Sequence, residues 1–123
     1  MRKLAYSIVF VSDMKRSVEF YRDVLGLPLK FESPFWTEFA TEGATLALHP
    51  ADAGNPQPAP ADRHPAGSCR IGLHVDNLDA FHQTMLAKGV RCIQPPQVQF
   101  GAKLALYVDP DGLGISVGEG KSS

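Results

Sequence analysis

Arg70 and His74 interrupt an otherwise small or apolar run, S-C-R-I-G-L-H-V-D-N over residues 68–77. Side chains alternate along an extended strand, so residues four apart share a face. An arginine fork suits a carboxylate, a phosphate or a polarised carbonyl. An imidazole can accept, donate or carry a proton near neutral pH. A second imidazole, His49, ends the run A-T-L-A-L-H-P over 44–50. His64 lies in a proline-rich stretch and His82 on a helical one; both read as solvated. The alternation turns Cys69 away from Arg70, which reads as packing. Cys69 and Cys92 fit no C-x-x-C or zinc spacing and read as free thiols of a reducing compartment. There is no G-x-S-x-G, phosphate loop or Ser/His/Asp spacing.

Elements must place these groups. L-A-Y-S-I-V-F-V-S-D reads as a strand ending at Asp13, a helix N-cap. M-K-R-S-V-E-F-Y-R-D-V-L-G then reads as a helix, with Met14, Val18, Tyr21 and Leu25 at helical spacing and Gly26 as its stop. Three short strands follow: L-P-L-K-F-E, W-T-E-F-A-T and A-T-L-A-L-H-P, the last two joined at Glu42-Gly43. Residues 51–68 hold five prolines and few large apolar residues, a linker or long loop. After them C-R-I-G-L-H-V-D-N is a strand with an Asp76/Asn77 cap signal. L-D-A-F-H-Q-T-M-L-A-K-G is a helix, and V-R-C-I-Q with P-P-Q-V-Q-F, K-L-A-L-Y-V-D and L-G-I-S-V-G-E are strands. D-P-D-G turns between the last two. The halves repeat one order, strand, capped helix, three strands, which is an internal βαβββ repeat. Residues 1–50 form the first module, 51–68 the connection and 69–119 the second, within one domain.

The 123 residues suit one compact unit, which at this size buries about two thirds of its unfolded surface without staples. Hydrophobic residues are 44%, charged residues 20% and the formal charge is −1. No basic stripe suggests nucleic acid and no basic amphipathic segment suggests a membrane surface. The N-terminal apolar run is too short to span a bilayer and lacks a cleavage signal, so a cytoplasmic location is expected.

The stretch V-S-D-M-K-R-S-V-E-F-Y-R-D-V-L-G-L-P-L, with V-D-N-L and D-P-D-G in the second half, resembles the opening and closing motifs of the vicinal oxygen chelate superfamily. That superfamily includes glyoxalase I, bleomycin resistance proteins and extradiol dioxygenases. The resemblance implies an α+β fold: two tandem βαβββ modules whose curled mixed sheets form a cleft. It also implies a homodimer. Metal-using members hold a divalent ion with four inward His or Glu side chains. Here the corresponding positions fall on Tyr6, Ala47, Arg70 and Ser116. Alanine has no lone pair, neutral hydroxyls are poor donors beside imidazole and carboxylate, and arginine has no acceptor atom. A guanidinium about 4 Å from a divalent ion costs roughly 8 kcal/mol at an effective dielectric near 20. No metal and no other cofactor is expected.

One alternative stays open. His49 lies two residues after Ala47 and His74 four after Arg70, so both share the implied cleft faces and could hold a shifted divalent ion. Glu119, three after Ser116, should face the other way. The expected ligand-binding set is Tyr6, Trp36, Phe39, Ala47, His49, Arg70, His74 and Ser116. Trp36 and Phe39 offer stacking surface, or Trp36 lies in a core. The expected function is metal-free binding of a small polar or anionic organic molecule, as sequestration in antibiotic resistance or as a pathway step. A cationic drug of the bleomycin kind is not favoured, although Glu38 and Glu42 remain available. The alternative is a lyase, isomerase or dioxygenase-type enzyme, with the shifted metal or with His74 as general base beside Arg70 as oxyanion stabiliser. A filled, purely dimeric interaction protein is a third reading.

Overall fold

The computed structural model describes residues 4–52, 69–99 and 101–120. The chain divides into two compact units, Met1–Pro56 and Gln57–Ser123. His64 and most of the proline-rich connection lie outside the described residues.

The first unit runs β1 (Tyr6–Val11), α1 (Met14–Glu19), a π-helical turn (Phe20–Val24), β2 (Leu29–Phe31), β3 (Thr37–Phe39) and β4 (Thr45–Pro50). The second runs β5 (Ile71–Val75), α2 (Leu78–Ala87), β6 (Cys92–Gln99), β7 (Ala102–Val108) and β8 (Gly114–Glu119). Each has one four-stranded mixed sheet, ordered β1-β4-β3-β2 and β5-β8-β7-β6. The first strand of each unit is parallel to the last, and the other pairs are antiparallel. The fold is therefore α+β in two like modules, as the motifs imply.

Chain chemistry accounts for the repeat. Asp13 accepts from the Arg16 backbone N–H at 3.1 Å, and Asn77 accepts from Ala80 N–H at 3.0 Å. Each side chain satisfies an amide that the first helical turn leaves unpaired. Each helix then buries its apolar stripe on one sheet face. Val18 and Tyr21 are buried, as are Val9, Val11, Phe39 and Leu48 in the first core, where the Tyr21 and Phe39 rings lie 6.0 Å apart. Leu78 and Met85 join Tyr107, Ile115 and Val117 in the second. The expected single helix over 14–26 departs from regularity at Phe20, where Leu25 N–H bonds to the Phe20 carbonyl at 2.9 Å, five residues back.

β6 passes through Pro95 and Pro96 with register shifts on both sides of Gln94. Proline cannot donate to a ladder, so this strand is confined to an edge, where the sheet order puts it. Gly112 closes the D-P-D-G turn at φ 86°, a conformation that a Cβ would strain. Asp109, only 4% exposed, accepts from Asp111 and Leu113 N–H at 2.9 and 2.8 Å, which makes the turn rigid. Among the described residues no helix is long and apolar enough to cross a membrane.

Candidate functional site

In both sheets one face is taken by the helix, and the other carries the residues of chemical interest. Partners across a ladder point to the same side. In the first unit, Tyr6 pairs with Thr45, Ile8 with Ala47 and Phe10 with His49, and Ala47 also pairs with Glu38. Val9, Val11, Leu46 and Leu48, the intervening residues, are buried on the helix side.

The outer face of this unit bears a row of rings. Tyr6 meets Trp36 edge-on at 5.9 Å between centroids, Trp36 meets His49 at 6.3 Å, and His49 meets Phe10 at 5.5 Å. These are ordinary spacings for T-shaped pairs. Tyr6 and Phe10 remain 51% and 61% exposed, unusual for large rings on adjacent positions of one face. Trp36 is aimed by its turn: Ser33 Oγ accepts from the Phe35 and Trp36 backbone N–H groups, at 3.3 and 3.0 Å. The Trp36 indole N–H donates to Glu38 Oε2 at 2.7 Å. The other Glu38 oxygen is 3.8 Å from Lys30 Nζ, which also donates to Thr45 Oγ1 at 3.4 Å. His49 Nδ1 lies 2.7 Å from the Pro50 carbonyl oxygen.

In the second unit, Gly72 pairs with Ser116 and His74 with Gly118. Ser116 also pairs with Leu106, and Gly118 with Leu104. Arg70 is half-buried just ahead of β5 and holds an interaction of its own. A Cβ on Gly72 would meet nothing within 4 Å, so the face is open to the backbone there. His74 is exposed, its ring lying against Gly118 and Gly120.

Tyr6, Trp36, Ala47 and His49 thus share the outer face of one unit, and His74 and Ser116 that of the other. Four expectations need correction. Phe39 is 0% exposed on the helix side, 6.0 Å from Tyr21, and has no access to the outer face. It lies three residues from Trp36, an odd number, so strand alternation places the two rings on opposite faces. Cys69 is exposed rather than packed, because it precedes β5 and is not held by the ladder. His82 is half-buried, with Nδ1 2.9 Å from the Tyr107 hydroxyl, since its helix turn faces β7. Glu42 is exposed in the tight turn, leaving Glu38 as the carboxylate on the ring-bearing face.

Ile8, Phe10 and Lys30 belong to the face and the sequence reading missed them. Tyr-Ser-Ile-Val-Phe-Val is apolar on both sides, so alternation gives no contrast. The pairing of Phe10 with His49 is the only signal, and it requires the register.

The donor set does not suit a divalent ion. Tyr6, Ala47, Arg70 and Ser116 offer no imidazole, carboxylate or thiolate. Glu119 is turned to the helix side, where it accepts from Leu78 N–H at 2.9 Å. Among the described residues no three His, Cys, Asp or Glu side chains come together in a way that could hold a metal.

Known proteins share this architecture. A crystal structure of a glyoxalase/dioxygenase from Nostoc punctiforme superposes with a TM-score of 0.83 at 18% identity, covering 98% of this chain and 92% of that one. A protein of unknown function from Agrobacterium tumefaciens str. C58 is 29% identical, with a TM-score of 0.75 and coverage of 98% and 95%. The uncharacterized protein YraH of Bacillus subtilis (strain 168) is 26% identical over 117 residues, 89% of this chain and 91% of that protein. The model of the Glyoxalase/Bleomycin resistance protein/Dioxygenase superfamily matches residues 3–117. With that match spanning both capped modules, the chain belongs to the glyoxalase/bleomycin resistance protein/dioxygenase superfamily.

Proposed function

We propose that this protein binds a small polar or anionic organic molecule, without a resident metal ion. The observation that carries the reading is the ring row Tyr6–Trp36–His49–Phe10 on the first unit's outer face, with Tyr6, His49 and Phe10 exposed and Trp36 half-buried. Leaving such rings in water forgoes about 1.5–3 kcal/mol per large side chain, a loss that a bound guest would recover. The Tyr6 hydroxyl and the His49 imidazole on the same face supply directional contacts for a polar guest. The metal-free part rests on chemistry alone, since three of the family's four ligand positions offer only hydroxyls or a methyl group and the fourth a cation.

The test joins elemental analysis of gently purified protein to a thermal-shift panel of small aromatic alcohols, carboxylates and phosphates. The expected result is well under one transition ion per chain and at least one compound with a saturable rise in Tm. A ligand at a hundred times its Kd should stabilise by about 2.7 kcal/mol. Trp36→Ala should abolish that rise. One tightly held ion per chain, or no stabilising compound at all, would sink the proposal.

A further inference from the structure

The hydrogen bonds around the ring row narrow the guest's chemistry. This inference rests on the binding reading above and concerns the first unit's outer face. A carbonyl oxygen can only accept, so the 2.7 Å contact with Pro50 O requires His49 Nδ1 to carry the hydrogen. In the uncharged ring the remaining nitrogen, Nε2, is then an acceptor. The other polar groups of the row are largely committed. The Trp36 indole N–H is spent on Glu38, so Trp36 offers a guest only its ring. Lys30 Nζ lies 3.8 Å from Glu38 Oε1 and donates to Thr45 Oγ1 at 3.4 Å, so the two charges beside the row offset one another. Among the described residues, the Tyr6 hydroxyl, which can donate or accept, joins Nε2 as a polar atom of the row itself.

We infer that the guest is a flat aromatic molecule carrying a neutral O–H or N–H, which it donates to His49 Nε2 while its ring packs against Trp36 and Phe10. Perpendicular neighbours favour such a guest: a ring placed face-on to one meets the next edge-on, the arrangement that aromatic quadrupoles prefer. A carboxylate in the same position would set its lone pairs against that of Nε2. The anionic option for the ligand is therefore disfavoured at this face.

The intact chain is titrated with 2-naphthol, 2-methoxynaphthalene and 2-naphthoate, which share a ring system and differ in donor and charge. The sequence contains one tryptophan, so the single indole N–H resonance reports on Trp36 without assignment. The His49 ring nitrogens report the tautomer directly. Expected results are hydrogen on Nδ1, saturable shifts of both residues with 2-naphthol, and roughly three- to tenfold weaker binding of the methyl ether, the usual worth of one neutral hydrogen bond. His49→Phe, which keeps the ring, should erase the difference between alcohol and ether. His49→Gln, which can restore an acceptor, should retain part of it. Since His49 is exposed, both variants should fold, and their melting curves check this.

Equal affinity for alcohol and ether, a preference for 2-naphthoate, hydrogen on Nε2, or an unchanged preference in His49→Phe would overturn the inference. If none of the three naphthalenes binds while another small molecule raises Tm, this inference falls and the binding reading stands. If nothing binds, both fall.

Discussion

The His74 imidazole rests where two side chains have been left out. A Cβ on Gly120 would stand 2.8 Å from Nδ1, closer than atoms can pack, and one on Gly118 would lie 3.3 Å from Cδ2 and 3.1 Å from Leu104 Cδ2. Neither glycine is among those with positive φ, so space and not backbone freedom is what a larger residue would violate. Gly120→Ala should therefore swing the exposed ring aside at little cost in Tm while moving the His74 ring resonances. The double-mutant cycle with His74→Ala is the check: in that background the alanine at 120 should be silent, because residues in contact couple and separated ones add. Equal effects of Gly120→Ala with and without His74 would refute the steric account. That Gly72 and His74, two apart in β5, share a face was readable from alternation alone. The glycine bed was not, since what a missing Cβ would touch depends on strand register. Phe39 and Trp36 show the converse: the rule that separates them was available in the sequence, but their shared aromatic chemistry suggested one role.

At the scale of elements, α2 is held at its N-terminus from two directions. Asn77 caps it locally, and Glu119 reaches from the end of β8 to Leu78 N–H. The second contact ties helix to sheet, and its charge also favours the positive end of the helix dipole. α1 is capped by Asp13, which lies next to it in the chain. Asn77→Ala should cost about 1 kcal/mol. Glu119→Gln, which keeps an acceptor but loses the charge, should cost less than Glu119→Ala. Urea unfolding with unchanged m-values is the measurement. A Glu119→Ala midpoint equal to wild type would mean the contact is not formed in solution. Both caps were legible as Asp and Asn before an apolar period. The π-helical turn was not. One extra residue per turn shifts the phase only over the last few positions, and Met14, Val18, Tyr21 and Leu25 still satisfy a regular helix on paper. Consecutive buried rings, Phe20 and Tyr21, 5.2 Å apart, are the visible correlate of the widening.

At the scale of the whole molecule, repetition governs the cores and not the outer faces. Two helix caps, a D-P-D-G turn and the order of apolar runs were enough to read two like modules, because each element must bury one face to exist at all. The outer faces carry no such demand and have diverged, toward rings in the first unit and toward glycine, leucine and glutamine in the second. The second core also contains chemistry that the first reading passed over. Tyr107 is 0% exposed, bonded to His82 Nδ1 and paired across the sheet with Cys92. Burial, with a smaller contribution from a Cys92 charge, pushes its hydroxyl up from 10.0 to about 12, and burial raises the Cys92 thiol as well. An unfolded tyrosine ionises near 10. Between these limits the folded chain keeps a proton that the unfolded chain has lost, so stability falls as pH rises. Tyr107 contributes its full share below about pH 10 and loses it as pH climbs toward about 12. Tyr107→Phe should lower stability at neutral pH by losing the bond to His82, yet decline less steeply from pH 10 upward; part of the slope that remains belongs to Cys92, and Cys92→Ala should remove that part, leaving what Lys103 loses with its Asp79 partner. If wild type and Tyr107→Phe descended in parallel through that window, the hydroxyl would be ionising as freely folded as unfolded, and the helix-side core of the second unit would have to be wetter than its packing implies.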